Sequence, residues 1–313
     1  MKTLEKRKDI VTDIKTVCAI CGTLDNSKEV YPAVLSGEEL DEKAFSARRF
    51  YSNKIHFRMV RCLKCGLLRS DPVVDMNIYK ALYEKSTVTY DKHIDNLNKT
   101  YGYYIKKYSN LFEKKGSFLE IGCGNGFFLE EALRQGFKKV VGVEPGLPSI
   151  EKAKSEIRPF IKQGMFSKEM FEGETFDCIA IFQTLDHLIE PNKVLSDSIK
   201  LLNPGGVFIA INHNEKSFIA RLFGEKSPII DIEHTYLYNP DTIRDIFEKN
   251  GFVVEKIFFP SSRHSFGYLF SLIPLNIFWL KKAIHKFLDF THISNIPVFI
   301  PIGNLGIIAR KPK

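Results

Sequence analysis

The sequence predicts an α/β protein in which helices cover both faces of a mostly parallel sheet. From Ser117 onward, apolar runs of strand length alternate with segments of helical periodicity, which is the pattern of a parallel sheet. The first of these runs passes directly into a glycine-rich turn at 122–126. The chain of 313 residues can bury a substantial core and has room for a smaller module beside it.

The elements are predicted in the following order. A charged, flexible N-terminus at 1–15 precedes a cysteine-containing module at 16–72, a tyrosine-rich helical lid or linker at 73–116 and an α/β domain at 117–313. Within that domain, strands are expected at 117–121, 139–144, 159–163, 176–182, 206–212, 252–259 and 305–309. Helices are expected at 126–135, 147–156, 192–202 and 240–250.

The turn after the first strand of that domain carries the strongest signal in the chain. It reads Leu119-Glu120-Ile121-Gly122-Cys123-Gly124-Asn125-Gly126. Glycine lets the backbone turn sharply and approach a ligand, and the following helix N-terminus offers free amides. A dinucleotide fingerprint would need glycine at the position of Phe127, and the acidic Glu120 does not suit a pyrophosphate. The turn therefore favours a cationic or hydroxyl-rich ligand.

This turn resembles motif I of the class I S-adenosylmethionine-dependent methyltransferases. Further segments resemble the same family in the same order: Val140-Val141-Gly142-Val143-Glu144, Phe176-Asp177-Cys178-Ile179-Ala180-Ile181-Phe182, Leu185-Asp186-His187-Leu188, Leu202-Asn203-Pro204-Gly205-Gly206 and Asn250-Gly251-Phe252. The resemblance implies a Rossmann-like class I methyltransferase sheet with its last strand antiparallel between its neighbours. It also implies S-adenosylmethionine as the cofactor.

The family pattern implies the cofactor contacts as well. Glu120 would face the amino or ribose side of the ligand, and Glu144 would bind both ribose hydroxyls. Phe166 would flank the adenine, and Gln183 would lie next to the methionine moiety. The turn beneath the ligand would consist of Gly122, Cys123, Gly124 and Gly126.

Four of the six cysteines form two C-x-x-C pairs, Cys18 with Cys21 and Cys62 with Cys65. In a reducing compartment, such pairs indicate a metal site rather than disulfides. Two knuckles supply four thiolates to a tetrahedral ion, and a closed site of this kind is structural. The sequence therefore predicts a small, zinc-ribbon-like N-terminal module that holds structural Zn²⁺.

Two histidines are candidates for a general base. His187 follows the fourth strand of the domain, at the edge where ligands bind in open α/β sheets. His234 follows the fifth strand in Glu233-His234-Thr235-Tyr236, and the neighbouring Glu233 suits base catalysis. Each histidine also has a purely structural interpretation. His213 and His264 are weaker candidates.

The segment 263–300 is predicted to be a hydrophobic insertion. The stretch from Phe266 to Leu280 carries no charge, but Pro274 interrupts it, and it is shorter than the ~20 apolar residues of a membrane span. One helical face is predicted to contain Ile277, Leu280, Ile284, Phe287 and Leu288. This pattern fits four alternatives: packing on its own domain, an apolar substrate pocket, a dimer interface, or peripheral membrane contact through 266–290.

The net charge and the N-terminal residues limit the possible partners and the expected cellular compartment. The net charge of +8 is modest, and no long basic block indicates nucleic acid. Residues 1–15 lack the apolar core of a secretory signal. The expected location is the cytoplasm, with peripheral membrane contact as an option, and the oligomeric state is left open.

The predicted function is methyl transfer from S-adenosylmethionine to a small-molecule acceptor by O- or C-methylation. The four cysteines, motif I and Glu233-His234 resemble sugar C-methyltransferases that act on nucleotide-linked deoxysugars, although the further C-terminal domain of those enzymes is not found in these 313 residues. A sugar nucleotide, a lipid-linked molecule or a natural-product intermediate would fit as the acceptor. The alternatives are an RNA methyltransferase with a zinc-ribbon RNA grip, and a non-catalytic scaffold that binds a membrane or a protein.

Overall fold

The structure is a computed structural model that describes residues 14–34, 45, 55–86, 94–273, 278–301 and 303–313. Most of the predicted flexible N-terminus, residues 1–13, therefore lies outside the described residues. The same is true of Tyr90 in the predicted lid, and of Pro274 and Ile277 in the predicted insertion.

The strands are β1 (Ser27–Tyr31), β2 (Met59–Cys62), β3 (Leu68–Ser70), β4 (Ser117–Ile121), β5 (Lys139–Glu144), β6 (Ile161–Gln163), β7 (Phe176–Phe182), β8 (Leu202–His213), β9 (Tyr236–Leu237), β10 (Val253–Phe258), β11 (Ser262–Ser265), β12 (Pro297–Ile300) and β13 (Asn304–Arg310). The helices are α1 (Met76–Lys85), α2 (Ile94–Lys107), α3 (Phe127–Arg134), α4 (Leu147–Glu151), α5 (Pro191–Leu201), α6 (Phe218–Phe223), α7 (Pro240–Lys249), α8 (Phe266–Leu272) and α9 (Phe278–Phe290).

The central sheet contains seven strands in the order β10-β13-β8-β7-β4-β5-β6. β4 pairs in parallel with β5 on one side and with β7 on the other, and β6 and β8 extend the parallel part outward. β13 runs antiparallel to both of its neighbours, β8 and β10. The predicted Rossmann-like sheet with an antiparallel last strand is thereby confirmed.

Two predicted boundaries differ from the structure by more than two residues. The helix expected at 147–156 is only the short α4, which ends where the amide of Lys152 donates to the carbonyls of Ser149 and Ile150 in a tight last turn. The strand expected at 206–212 begins earlier, at Leu202, because Leu202 pairs with Phe176 of β7. Tertiary pairing therefore extended this strand beyond its apolar run.

The central sheet is buried on both faces. Leu119 and Ile121 of β4 belong to one apolar cluster, whereas Phe118 belongs to another on the opposite face, because successive side chains of a strand point to opposite sides. Helices α5 and α7 cover the first face, and α2 and α3 cover the second. The predicted lid is therefore partly structural: Tyr101 of α2 stacks on Phe182 of β7 with ring centroids 4.4 Å apart.

The N-terminal module forms a second sheet that is shared with the α/β domain. Its strand order is β1-β2-β3-β9, and β9 comes from within 117–313. Leu68 and Arg69 of β3 pair with Leu237 and Tyr236 of β9. Arg69 is fully buried, and its guanidinium donates to the carbonyls of Thr16 and Leu24. The module is therefore built into the domain rather than attached by a linker alone.

The insertion contains α8 and α9, which lie between the two paired antiparallel strands β11 and β12. Leu288 of α9 is buried, but Phe287 and Leu280 are exposed, so the predicted five-residue apolar face does not pack as one surface. Within the described ranges, no helix is both long enough and apolar enough to cross a membrane.

We predict that Gly142→Ala lowers the free energy of unfolding by about 1–3 kcal/mol, the usual effect of overpacking a core. A Cβ at Gly142 would collide with Sγ of Cys123 and lie 2.9 Å from its Cβ. Urea unfolding followed by circular dichroism measures the effect. Adding Cys123→Ala removes the colliding sulfur and should recover part of the loss, whereas additive losses would show that this contact does not limit β5.

Candidate active site

The glycine turn follows β4 and closes against β5. The amides of Gly122 and Cys123 both donate to the carbonyl of Val143, at 2.9 and 3.1 Å. Gly122, Gly124 and Gly126 have φ angles of +74°, +57° and +70°, which side chains with a Cβ rarely adopt. A Cβ at Gly122 would also lie 2.6 Å from Oγ1 of Thr184. The turn therefore places backbone without side chains at the carboxyl-end edge of the parallel strands.

Glu144 ends β5 directly above this turn. Its Oε2 accepts from the amide of Gly124 at 2.9 Å, and its Oε1 accepts from the amide of Gly146 at 2.8 Å. Burial raises the pKa of Glu144, although the amides of Gly146 and Gly124 act in the opposite direction. The carboxylate is thus fixed in position at the ligand-binding edge of the sheet.

Two other polar groups are buried beside it without hydrogen-bond partners among the described residues, Oε2 of Glu120 and Oε1 of Gln183. Burial and the charge of Glu144 raise the pKa of Glu120 well above its usual range. Gln183 has a φ of +52°, a backbone conformation that is uncommon outside glycine. Orphaned buried polar groups and local strain are typical of functional sites.

The remaining residues predicted for the cofactor lie at the same edge. Phe166 lines the cavity described below, with its ring centroid 6.1 Å from that of Phe171. Cys123 is buried, and burial raises the pKa of its thiol well above the usual value. Its sulfur fills the space over Gly142, which is a packing role.

Opposite the glycine turn, one buried carboxylate is surrounded by three histidines. Asp186 has no exposed side-chain surface, and its Oδ2 accepts from Nδ1 of His213 at 2.6 Å. Nε2 of His187 and of His234 lie 3.8 and 3.9 Å from its two oxygens. Burial alone would raise the pKa of Asp186, but His213, His234 and His187 together lower it below its usual value. Asp186 is therefore an ionised acceptor.

Hydrogen bonds fix the tautomers of His213 and His234. An ionised carboxylate can only accept, so Nδ1 of His213 is protonated and its Nε2 lies on the opposite edge of the ring. His213 is 28% exposed and lines the cavity. His234 is 8% exposed, and its Nδ1 donates to the carbonyl of Ile229 at 2.8 Å. Burial lowers the pKa of His234, so this ring is held neutral.

His187 and Glu233 have structural contacts in the same cluster. Nδ1 of His187 lies 3.1 Å from the hydroxyl of Tyr83. Glu233 is buried, and its carbonyl accepts from the hydroxyl of Tyr79. The structure thus places His187, Glu233 and His234, the three residues predicted for catalysis, on the wall of the cavity described below. It also places Asp186 and His213 at the centre of the histidine cluster. Sequence reasoning does not single out Asp186, and it ranks His213 as a weaker candidate. Their common signal is position, since His213 is the last residue of β8 and Asp186 lies in the loop after β7.

One cavity of about 950 Å³ joins the two groups. Its walls include Glu120, Glu144 and Phe166 at one end and His213 and His234 at the other. Cavities of this size hold whole cofactors or drug-sized ligands. A ligand over the glycine turn and a ligand over the histidines would therefore lie in the same cavity.

The four paired cysteines form a compact cluster outside this cavity. Sγ of Cys18 lies 3.5 Å from Sγ of Cys65, and Sγ of Cys62 lies 3.9 Å from Sγ of Cys21. Four sulfurs around a tetrahedral zinc with Zn–S bonds of ~2.3 Å would be ~3.8 Å apart. The four thiol groups therefore have the spacing of a closed metal site.

Comparison with known proteins gives the family. A sequence profile described as a methyltransferase domain matches residues 92–257, which is more than half of the chain. The chain belongs to this methyltransferase family. The matched region contains β4 to β9 and thus the glycine turn, Glu144, Asp186 and the three histidines of the cluster.

Curated relatives of this methyltransferase-family chain are similar over part of their length. The ubiquinone biosynthesis O-methyltransferase of Vibrio cholerae is 29% identical over 146 residues, which are 44% of this chain and 58% of that protein. The protein of the same name from Yersinia pestis is 25% identical over 130 residues, or 39% of this chain and 52% of that protein. The chain thus spans little more than half the length of these relatives.

Solved structures similar to the methyltransferase-family chain include two from thermophiles. A SAM-dependent methyltransferase from Archaeoglobus fulgidus is 20% identical, with a TM-score of 0.47, and covers 68% of this chain and 94% of its own. One from Thermotoga maritima is 18% identical, with a TM-score of 0.44, and covers 71% and 94%.

We predict that Glu144→Ala weakens binding of S-adenosylhomocysteine by about 100-fold or more. The reason is that the two ribose hydroxyls would lose their hydrogen bonds to a charged acceptor. Isothermal titration calorimetry with S-adenosylmethionine and S-adenosylhomocysteine measures this loss. Glu156→Ala removes an acid in the turn region after α4 and is the matched control. Unchanged affinity in the Glu144 variant would remove it from the binding site, and no binding by the folded wild type would favour the scaffold alternative.

Proposed function

We propose that this chain transfers a methyl group from S-adenosylmethionine to a hydroxyl of a small-molecule acceptor. The single observation that carries the proposal is the shared cavity, with the Glu144 and glycine-turn cradle at one end and the Asp186–His213 pair at the other. The family match supports the cofactor. The names of the curated relatives support O-methylation of a small molecule.

The residues at the first end fit the cofactor. Glu144 would accept from the ribose hydroxyls, and the orphaned oxygens of Glu120 and Gln183 would find donors there. Phe166 would flank the adenine, and Gly122 would let the ligand approach the backbone. When bound, S-adenosylmethionine supplies an electrophilic methyl group on a sulfonium, which is a good leaving group. The protein then needs to align the acceptor and remove its proton.

His213 is the base that this geometry favours. Its Nδ1–H is held by Asp186, so Nε2 can accept the proton of a hydroxyl bound in the cavity. The imidazolium formed in this way is stabilised by the buried carboxylate of Asp186. The two histidines predicted for this role, His187 and His234, are more enclosed and would instead pack around Asp186. Glu233 would fix the loop that carries His234.

Two finer parts of the proposal concern the metal and the acceptor. Zn²⁺ held by Cys18, Cys21, Cys62 and Cys65 would be structural, because four thiolates leave no open position. The acceptor would have an apolar part, since Leu269 and Ile273 of the insertion line the cavity. A lipid-linked acceptor fits this lining better than a bare sugar nucleotide.

The same insertion offers a surface for an anionic bilayer. On α9, Trp279, Phe287 and Phe290 are 71%, 60% and 84% exposed. Lys282 and Lys286 lie on the same helix and are also exposed. Exposed aromatics beside lysines are typical of helices that lie in a membrane interface. Peripheral contact here would bring a lipid-linked acceptor to the side of the cavity lined by Ile273.

We predict that His213→Gln lowers the turnover number by about 10²–10⁴-fold, the usual share of general-base catalysis, and leaves the affinity for S-adenosylhomocysteine unchanged. Transfer of a radiolabelled methyl group to a panel of catechols, lipid-linked and nucleotide-linked sugars and RNA measures turnover. His234→Gln is the matched control and should cost less. A larger loss in the His234 variant would make His234 the base, and transfer to RNA alone would favour the RNA alternative.

We predict that the protein floats with vesicles of phosphatidylglycerol and phosphatidylcholine, and that combined Trp279→Ala and Phe290→Ala reduces the bound fraction by about tenfold, because two aromatic anchors are lost. Phe160→Ala, an exposed aromatic outside the insertion, is the control. No flotation, or equal flotation of the variant, would reject the membrane surface. A dimer that dissociates in the variant would assign this face to a second copy of the chain.

A further inference from the structure

Strand β9 connects the cysteine module to the two segments that carry Asp186 and His213. On one side it pairs with β3 of the module. On the other side, the amide of Thr235 donates to the carbonyl of Asp186 at 2.8 Å. The residue after the strand, Tyr238, forms a parallel bridge with Asn214 and accepts from the amide of Glu215 at 2.9 Å. Asn214 directly follows His213 in the chain.

Ser70 adds a second set of contacts from the module to the same loop. Its amide donates to the carbonyl of Thr235 at 2.8 Å, and its Oγ donates to the carbonyl of His234 at 2.8 Å. Ser70 is fully buried. The backbone on both sides of the His234–Thr235 peptide is thus held by a residue at the end of β3.

Arg61 forms a third link, between a cysteine knuckle and the chain after His213. Its guanidinium donates to the carbonyl of Gly66, which follows Cys65, at 2.9 Å. It also donates through two nitrogens to the carboxylate of Glu215, at 3.2 and 3.0 Å. Glu215 is buried, and a paired planar contact of this kind fixes orientation as well as distance.

The cysteine cluster lies at the base of these links. Cys62 is the last residue of β2, and its amide donates to the carbonyl of Leu67, the residue before β3. Cys18 and Cys62 belong to the same apolar cluster as Tyr236 and Tyr238. The hydroxyl of Tyr236 donates to the carbonyl of Val17, beside Cys18. The first knuckle is therefore bonded to β9 directly, and the second is connected to β9 through β3.

We infer that the cysteine module, closed by its metal, is a positioning element that aligns Asp186 and His213 for the acceptor. The inference rests on the proposed function for the role of His213, but the mechanical coupling does not require it. Small displacements of a base from its substrate reduce rates strongly. The amides that hold Glu144 come from Gly124 and Gly146 rather than from the module. Metal occupancy should therefore affect the end of the cavity at Asp186 and His213, the acceptor end, and spare the end at Glu144 and the glycine turn, the cofactor end.

Hydrogen exchange with and without metal tests the coupling directly. The zinc content of the purified protein is measured first, and about one ion per chain is expected from a four-thiolate site. After removal of the ion with a chelator, amide exchange in 229–239 and 213–216 should accelerate by about tenfold or more, because local protection falls with the lost contacts. Exchange in β4 and β5 and the affinity for S-adenosylhomocysteine should stay unchanged. Unchanged exchange in the two loops would overturn the inference.

Two variants keep the metal and remove the links, so they decide the question if the metal-free chain unfolds. Ser70→Ala and Arg61→Gln should retain zinc and S-adenosylhomocysteine binding, accelerate exchange in 213–216 and 229–239, and lower turnover by about 10- to 100-fold. Thr23→Val is the control, since its hydroxyl lies in the module without a partner among the described residues. Normal exchange in both variants would refute the positioning role. Altered exchange in a chain that methylates no acceptor would keep the coupling and reject the proposed function.

Discussion

The parallel pairing of β4 between β5 and β7 is the constraint on which the rest of this molecule depends. This pairing brings the carboxyl ends of three strands to one edge, so that Glu120, Glu144 and Gln183 become neighbours. The backbone of the next turn then has to pass beneath them, where Thr184 leaves no room for a Cβ at Gly122. The glycine turn is therefore a consequence of the sheet register as much as of the ligand.

The two ends of the cavity hold acidic groups in opposite states. At the glycine-turn end, burial raises the pKa values of Glu120 and Glu144, and the charge of Glu144 adds to the rise for Glu120. A cation or a hydrogen-bond donor bound here would stabilise the ionised forms. At the acceptor end, three histidines lower the pKa of the equally buried Asp186. A depressed folded-state pKa stabilises the fold above the unfolded value of ~3.9 and loses that effect as the pH falls below it. The contrast between the ends suits a cationic cofactor beside a proton-accepting pair.

Burial of a charged group such as Asp186 is tolerated only where its surroundings are fixed. Here the surroundings come from separate parts of the chain: the loops after β7 and β8, and the segment before β9. β9 belongs to the sheet of the N-terminal module, so the module and the acceptor end share one set of backbone hydrogen bonds. This gives a physical reason for a cysteine-rich module in front of an α/β domain that has its own core.

The sequence by itself determined the sheet, the glycine turn, the acids that end β5 and precede the turn, and the spacing of the four cysteines. These features follow from local periodicity and from short spacings such as Gly122-x-Gly124, which act over a few residues. Only the tertiary structure shows that His213, His234 and Asp186 lie together, because they come from three separate segments and their burial depends on long-range packing. It also decided that β9 joins the module, since two residues carry no strand signal of their own. The packing of α9 was likewise left open by the sequence, because periodicity shows an apolar face, but only contacts show which part of it is covered.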